Sequence, residues 1–249
     1  MQSEFNVQGV TIYINSQSKT AHLDDVRVRQ ALQMGMDANS VNQRGYQGTL
    51  TATTALVPKG LAAVKPTKAP KFDVAGAKKL IDQVKAETGW DGSMRLLCAN
   101  TNVDGCTALS AVLTNIGLKL NVDSTLPVTP YTLKVQVNHD YDIALGGIQV
   151  FNGDFYDGFY RITLAPNNYG LFSDPQWTDA WNAVNQELLG TQGYSDAMAK
   201  VAEVQAKVVP SVNIGSFYEA VLYQNNVKGL LFTSKNTILW GKAYLTTSK

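Results

Sequence analysis

Between positions 149 and 159 the chain gathers Gln149, Phe151, Asn152, Asp154, Phe155, Tyr156, Asp157 and Phe159. Carboxamides there can donate and accept hydrogen bonds, carboxylates can accept them, and the rings offer stacking faces, so the chemistry on offer is contact with a ligand. A different use would pair Asp154 with Asp157 for glycoside hydrolysis, but acids three apart in a loop have no defined separation. Nucleophilic hydrolysis lacks its signature: His22 lies in a polar turn, His139 just before a strand, and no serine sits in G-x-S-x-G. No P-loop occurs, and no G-x-G-x-x-G opens a helix after a strand, so a nucleotide cofactor has no support. These residues give no catalytic residue and no cofactor. Two cysteines and two remote histidines make no metal-ligand cluster. Cys98 and Cys106 flank ANTNVDG, a span that could fold back to form a disulfide; two unpaired thiols remain equally open.

The elements that would position this loop are legible from periodicity and caps. Tyr141, Ile143 and Leu145 alternate with smaller or polar residues, which reads as a strand ending at Leu145. Gly146 and Gly147 then remove side chains where a backbone or ligand could approach. A loop so rich in aromatics is either a ligand surface or tucked under the fold. Upstream, Val10 to Asn15 reads as a strand. A helix follows with Asp24 as its cap and Val28, Ala31, Leu32, Gly35 and Met36 on one face, and Asp37 caps a short second helix ending near Gly45 to Gly48. Thr49 to Lys71, with three prolines, reads as a long extended connection, its alternating Lys and Pro from Lys65 onward as a tether. Asp73 caps a helix carrying Ala77, Leu80, Ile81 and Val84 and terminated by Gly89.

Met94 to Cys98, Gly105 to Ile116 and Leu118 to Val122 read as strand, helix and strand, a parallel βαβ unit. A short helix over Thr129 to Val137 leads to the Tyr141 strand as third member of that sheet, whose carboxyl edge is where ligands of α/β proteins sit. Farther on, Ser173 or Asp174 caps a helix with Trp177, Trp181, Val184 and Leu188 on its apolar stripe, the tryptophans read as core. Ser195 to Val209 is the last helix, stopped by Pro210, and the remainder is β-rich.

Composition sets the outer limits. The 249 residues are 45% hydrophobic and 16% charged with net charge +1, so the chain can bury a substantial core but carries no field to attract nucleic acid. No apolar stretch reaches membrane-span length, and the opening MQSEFNVQG has neither a basic nor an apolar leader region, which leaves a cytosolic protein or a trimmed piece.

Several segments in order resemble the extracytoplasmic solute-binding proteins, family 5, of peptide, nickel and oligosaccharide ABC importers. The most specific match is VTIYINSQSKTAHLDDVRVRQALQMGMDANSVNQRGYQG, with an asparagine-ended strand, a D-x-R-V-R-Q-A-L helix, an acidic cap and a glycine. FDVAGAKKLIDQ, LTNIGLKLNVDS, YDIALGG, SDPQWTDAW and VLYQNNVKGL extend it. The resemblance implies an α/β fold, one lobe of a periplasmic-binding-protein-like type II architecture with a mixed sheet flanked by helices. Residues 1–210 would form the second, C-terminal lobe, and 211–249 a β-rich return segment completing a missing first lobe. It also implies an extracytoplasmic setting, periplasm or cell-surface lipoprotein, and a membrane permease as partner. The ligand would be an oligopeptide, or alternatively an oligosaccharide, held by Gln149, Phe151, Asn152, Asp154, Phe155 and Tyr156. Peptide-binding members continue the glycine strand as Gly-Trp-x-x-Asp-x-x-Asp-Pro; here Ile148 replaces the tryptophan, Phe151 the first acid and Phe155 the proline. A free peptide amine is thereby less assured than in those members. Arg29 and Gln30, which match strongly, are read as structural.

Overall fold

The computed structural model describes residues 6–61, 63–151, 155–218, 223–232 and 238–246. Its centre is a six-stranded mixed sheet of β1 (Asn6–Ile14), β2 (Thr51–Ala52), β3 (Ser93–Ala99), β4 (Lys119–Leu126), β5 (Ile143–Phe151) and β6 (Ser211–Tyr218), in the order β2-β6-β1-β5-β3-β4. The expected parallel unit is present, with β3 parallel to both β4 and β5, while β1 runs antiparallel to β5 and β6.

Strand alternation sends residues to two cores, one on each face of the sheet. Ile12, Ile14, Leu96, Ile143 and Leu145 pack under α1 (Val26–Met34), α2 (Ala38–Gly45), α3 (Val74–Thr88) and α4 (Val103–Thr114). Tyr13, Leu97, Ala144 and Ile148 pack under α5 (Val128–Gln136), α6 (Phe155–Phe159), a π-helical turn (Tyr160–Leu164), α7 (Pro175–Val184) and α8 (Gln192–Val208).

The helix signals hold with small shifts. Asp37, Asp73 and Asp174 each accept a backbone N–H of their first turn, and Gly89 ends α3 at φ 75°. The cap of α1 is Asp25, not Asp24: its carboxylate accepts from Arg27 N. Trp177 and Trp181 are fully buried as expected, but Leu188 is 78% exposed because α7 stops at Val184. The Lys65–Lys71 stretch is no free tether, since Thr67 exchanges hydrogen bonds with Val57 through its amide and its hydroxyl and Val64 is buried beside it.

β5 runs on to Phe151, so Gln149 and Phe151 belong to a strand paired with β1 rather than to a loop. Gly146 serves that strand: a Cβ there would lie 2.2 Å from the Tyr13 ring. β6, which follows residue 210, lies between β2 and β1, so residues 211–218 are strand in the central sheet. After it, β7 (Val227–Lys228) pairs with β10 (Tyr244–Leu245) and β8 (Leu231–Phe232) with β9 (Ile238–Leu239), as two ribbons outside that sheet.

The asparagine that ends β1 has a physical role. Asn15 donates from Nδ2 to the carbonyls of His139 and Tyr141 and accepts from Gln17 N, pinning the chain where it enters β5. Arg29 likewise belongs to the frame. Its guanidinium donates to the carbonyls of Leu23, Asp24, Val208 and Val209, and Gln30 donates to Lys207 O.

Cys98 and Cys106 are joined, at a Cα separation of 6.2 Å, and both are fully buried. The bridge closes a loop with sequence separation 8. Reducing it in denaturant, or making the Cys98→Ala, Cys106→Ala double variant, is expected to cost roughly 2–3 kcal/mol in urea unfolding. An unchanged midpoint would mean that the bridge is not formed in solution.

Candidate functional site

At the carboxyl ends of β3 and β4 the sheet opens into a concavity of about 750 Å³. Its back is the middle of β5, Leu145 to Gly147, against Gly9 and Val10 of β1. One side is built by the end of α2 and the start of α4, the other by the first turn of α5. This is the sheet edge where ligands of α/β proteins collect, because strand ends and helix N-termini converge there without closing.

Local sequence explains each wall. The glycines Gly45 and Gly105 let α2 and α4 touch; a Cβ on Gly45 would stand 2.7 Å from the Gly105 Cα. That contact brings Tyr46 beside Asn102, whose Nδ2 donates to the Tyr46 hydroxyl oxygen at 3.0 Å. Asn42 exchanges two hydrogen bonds of 2.9 Å with the Leu50 backbone and so fixes the turn carrying Tyr46. The Cys98–Cys106 bridge anchors both ends of the segment containing Ala99, Thr101 and Asn102, all of which line the concavity.

On the other side Tyr131 donates to Leu145 O at 2.8 Å, and Tyr13 donates to Gly147 O. Burial pushes the phenols of Tyr131, Tyr13 and Tyr46 above their usual range, so all three stay neutral hydroxyls. No lining residue is an acid, a base or a histidine. Among the described residues no three His, Cys, Asp or Glu side chains come together to hold a metal. The wall offers hydroxyls, a carboxamide and apolar groups, which can hydrogen-bond and pack against a ligand.

The residues expected from sequence divide. Gln149 is exposed and shares the sheet face of Gly147, which it follows by two positions along β5. Phe151 is the last residue of the strand, its backbone opposite Asn6. Asn152 and Asp154 lie outside the described residues. Phe155 is 1% exposed in the core beneath α6 to α8, which removes both ring faces from solvent. Tyr156 is half-buried, its ring 5.6 Å from that of Tyr160 and 6.0 Å from that of Trp181. For Phe155 the aromatic segment is tucked under the fold, while Tyr156 keeps part of its surface exposed. Ile148, where peptide-binding members were expected to carry tryptophan, is buried in the same core. Tyr46, Asn102, Tyr131 and Thr132 were missed because they come from distant segments whose meeting depends on the α2–α4 and α5–β5 contacts. The paired Gly45 and Gly105 were the available signal.

The sequence signature of bacterial extracellular solute-binding proteins, family 5 Middle, matches residues 2–170. The oligopeptide-binding protein OppA of Bacillus subtilis (strain 168) is 24% identical over 253 residues, covering 96% of this chain and 45% of that protein. The pheromone receptor PrgZ superposes with a TM-score of 0.78 at 18% identity, covering 99% of this chain and 50% of that one. The oligopeptide-binding protein AppA from Bacillus subtilis, solved with a nonapeptide, gives a TM-score of 0.76 at 15% identity, covering 99% of this chain and 52% of that one. The chain thus spans about half the length of the relatives it matches. The structural neighbours have the periplasmic-binding-protein-like type II fold, in agreement with the mixed sheet flanked by helices. The matched family is one of binding proteins rather than enzymes. By the match over residues 2–170, this chain belongs to the bacterial extracellular solute-binding proteins, family 5.

Proposed function

We propose that this chain forms one wall of an oligopeptide-binding cleft in the extracytoplasmic component of an ABC importer, which passes its cargo to a membrane permease. The observation that carries the reading is the open concavity of about 750 Å³ beside the Gly146-Gly147 backbone of β5. The Tyr13 ring takes the place of a side chain at Gly146, so Gly147 is the glycine an extended peptide's main chain can approach, while flanking hydroxyls and apolar groups meet its side chains. The peptide ligands named for OppA and AppA support the same class. In this reading Gln149 and the end of β5 extend the contact surface, with Asn152 and Asp154 following it. The facing wall comes from the part of the relatives' length that this chain does not span, and hinge closure encloses the ligand.

Filling the concavity tests this. Thr132 is half-buried on α5 and lines it, and Thr132→Trp is expected to weaken oligopeptide binding by about tenfold or more in calorimetric titration. The thermal midpoint should move little, since the new ring projects into open space. Undiminished peptide affinity would remove the concavity from the binding site. Oligosaccharide binding in place of peptide binding would favour the sugar reading.

A further inference from the structure

We propose that this wall accepts only uncharged parts of its ligand and discriminates against peptides that present a charged side chain to it; the inference rests on the peptide reading above. Fifteen described residues line the concavity, and none of them carries a charged side chain.

The polar groups present are largely committed to one another. The Tyr131 hydroxyl donates to Leu145 O, Thr49 Oγ1 to Tyr46 O, and Asn102 Nδ2 to the Tyr46 oxygen. What remains for a ligand is the Tyr46 hydroxyl proton, Asn102 Oδ1 and the hydroxyls of Thr101 and Thr132, set among Val10, Leu50, Leu145 and Val128. Such groups match amides, hydroxyls and short apolar side chains. An ammonium or carboxylate enclosed against them loses its hydration and meets no counter-charge among these fifteen residues, which is the costly case. Burial keeps the tyrosines from ionising and supplying one.

The test is calorimetric titration of the full chain with matched tetrapeptides in which alanine, serine, leucine, lysine or glutamate occupies one position at a time. At one or more positions the alanine, serine and leucine peptides should bind within about threefold of one another, with both lysine and glutamate about tenfold or more weaker. Asn102→Asp, a nearly isosteric change at the cap position of α4, should then improve the lysine peptide by about tenfold and weaken the glutamate peptide further. If that variant unfolds more easily, Thr132→Asp places the same charge on the opposite side. Lysine and glutamate peptides that bind as well as neutral ones at every position would overturn the inference and leave the peptide reading standing. Discrimination that neither Asp variant shifts would overturn it too, since the selectivity would then lie elsewhere. Absence of binding by every peptide would overturn both.

Discussion

Replacing Trp181 by alanine is expected to lower the unfolding free energy by about 3–5 kcal/mol, measured by urea denaturation followed by circular dichroism. The ring is fully buried and forms the hub of an aromatic cluster: it meets Trp177 edge-on at 5.7 Å, Phe159 at 5.3 Å and Tyr156 at 6.0 Å. These contacts join α7 to α6, so the cavity would open beneath α6. Trp181→Phe should cost much less. Its Nε1 has no hydrogen-bond partner, so phenylalanine removes a buried orphan donor while keeping an aromatic ring in place. A Trp181→Ala cost under about 1 kcal/mol would mean that the cluster is loosely packed.

Arg29→Ala is expected to cost about 3–5 kcal/mol. Arg29 is 7% exposed, and its four carbonyl partners lie at the two ends of the fold's cross-tie: Leu23 and Asp24 before α1, Val208 and Val209 at the close of α8. The last carbonyls of a helix have no partner of their own, and here an arginine from another helix satisfies them and opposes the negative end of the dipole. The cation also lies 5.6 Å from the Phe172 ring centroid. Burial pushes its pKa down, with Asp25, Asp174 and Asp24 acting in the opposite direction, and it stays charged at any working pH. Arg29→Lys should recover only part of the loss, because one ammonium cannot reproduce a planar fork reaching both helices. Full recovery by lysine would show that charge, rather than geometry, is what the site requires.

The strongest local signals in the sequence matched the structure for stated reasons. Asp37, Asp73, Asp174 and Gly89 act within one turn of chain, so their caps are readable without knowing the fold. The βαβ unit was readable because helix and strand periods alternate over a short span, whereas the structural reading of Arg29 came from the family resemblance, its carbonyl partners lying too far along the chain to be read locally. What could not be read locally depends on partners. β5 was expected to stop at its glycines, yet antiparallel pairing with β1 carries it to Phe151, and Gly146 is tolerated because the Tyr13 ring fills its space. The strand after Pro210 looked like a departing segment; only its pairing with β1 and β2 assigns it to this sheet. The aromatic run drew attention to the correct strand exit, but Phe155 faces the core, and sequence spacing does not distinguish a stacking platform from a buried ring when both are followed by a short helix. The disulfide was an open alternative because its geometry depends on the end of β3 lying above α4.

The measurement that bears most directly on a peptide cleft at the strand ends is an amide-resolved NMR titration of the chain with oligopeptides and, separately, oligosaccharides. The cleft predicts that peptides perturb Tyr46, Asn102, Thr132 and Gly146 through Gln149 together, and that oligosaccharides leave these amides unmoved. Peptide-induced shifts confined to the far side of the sheet, around α7 and α8, or a response of the concavity to oligosaccharides alone, would contradict it.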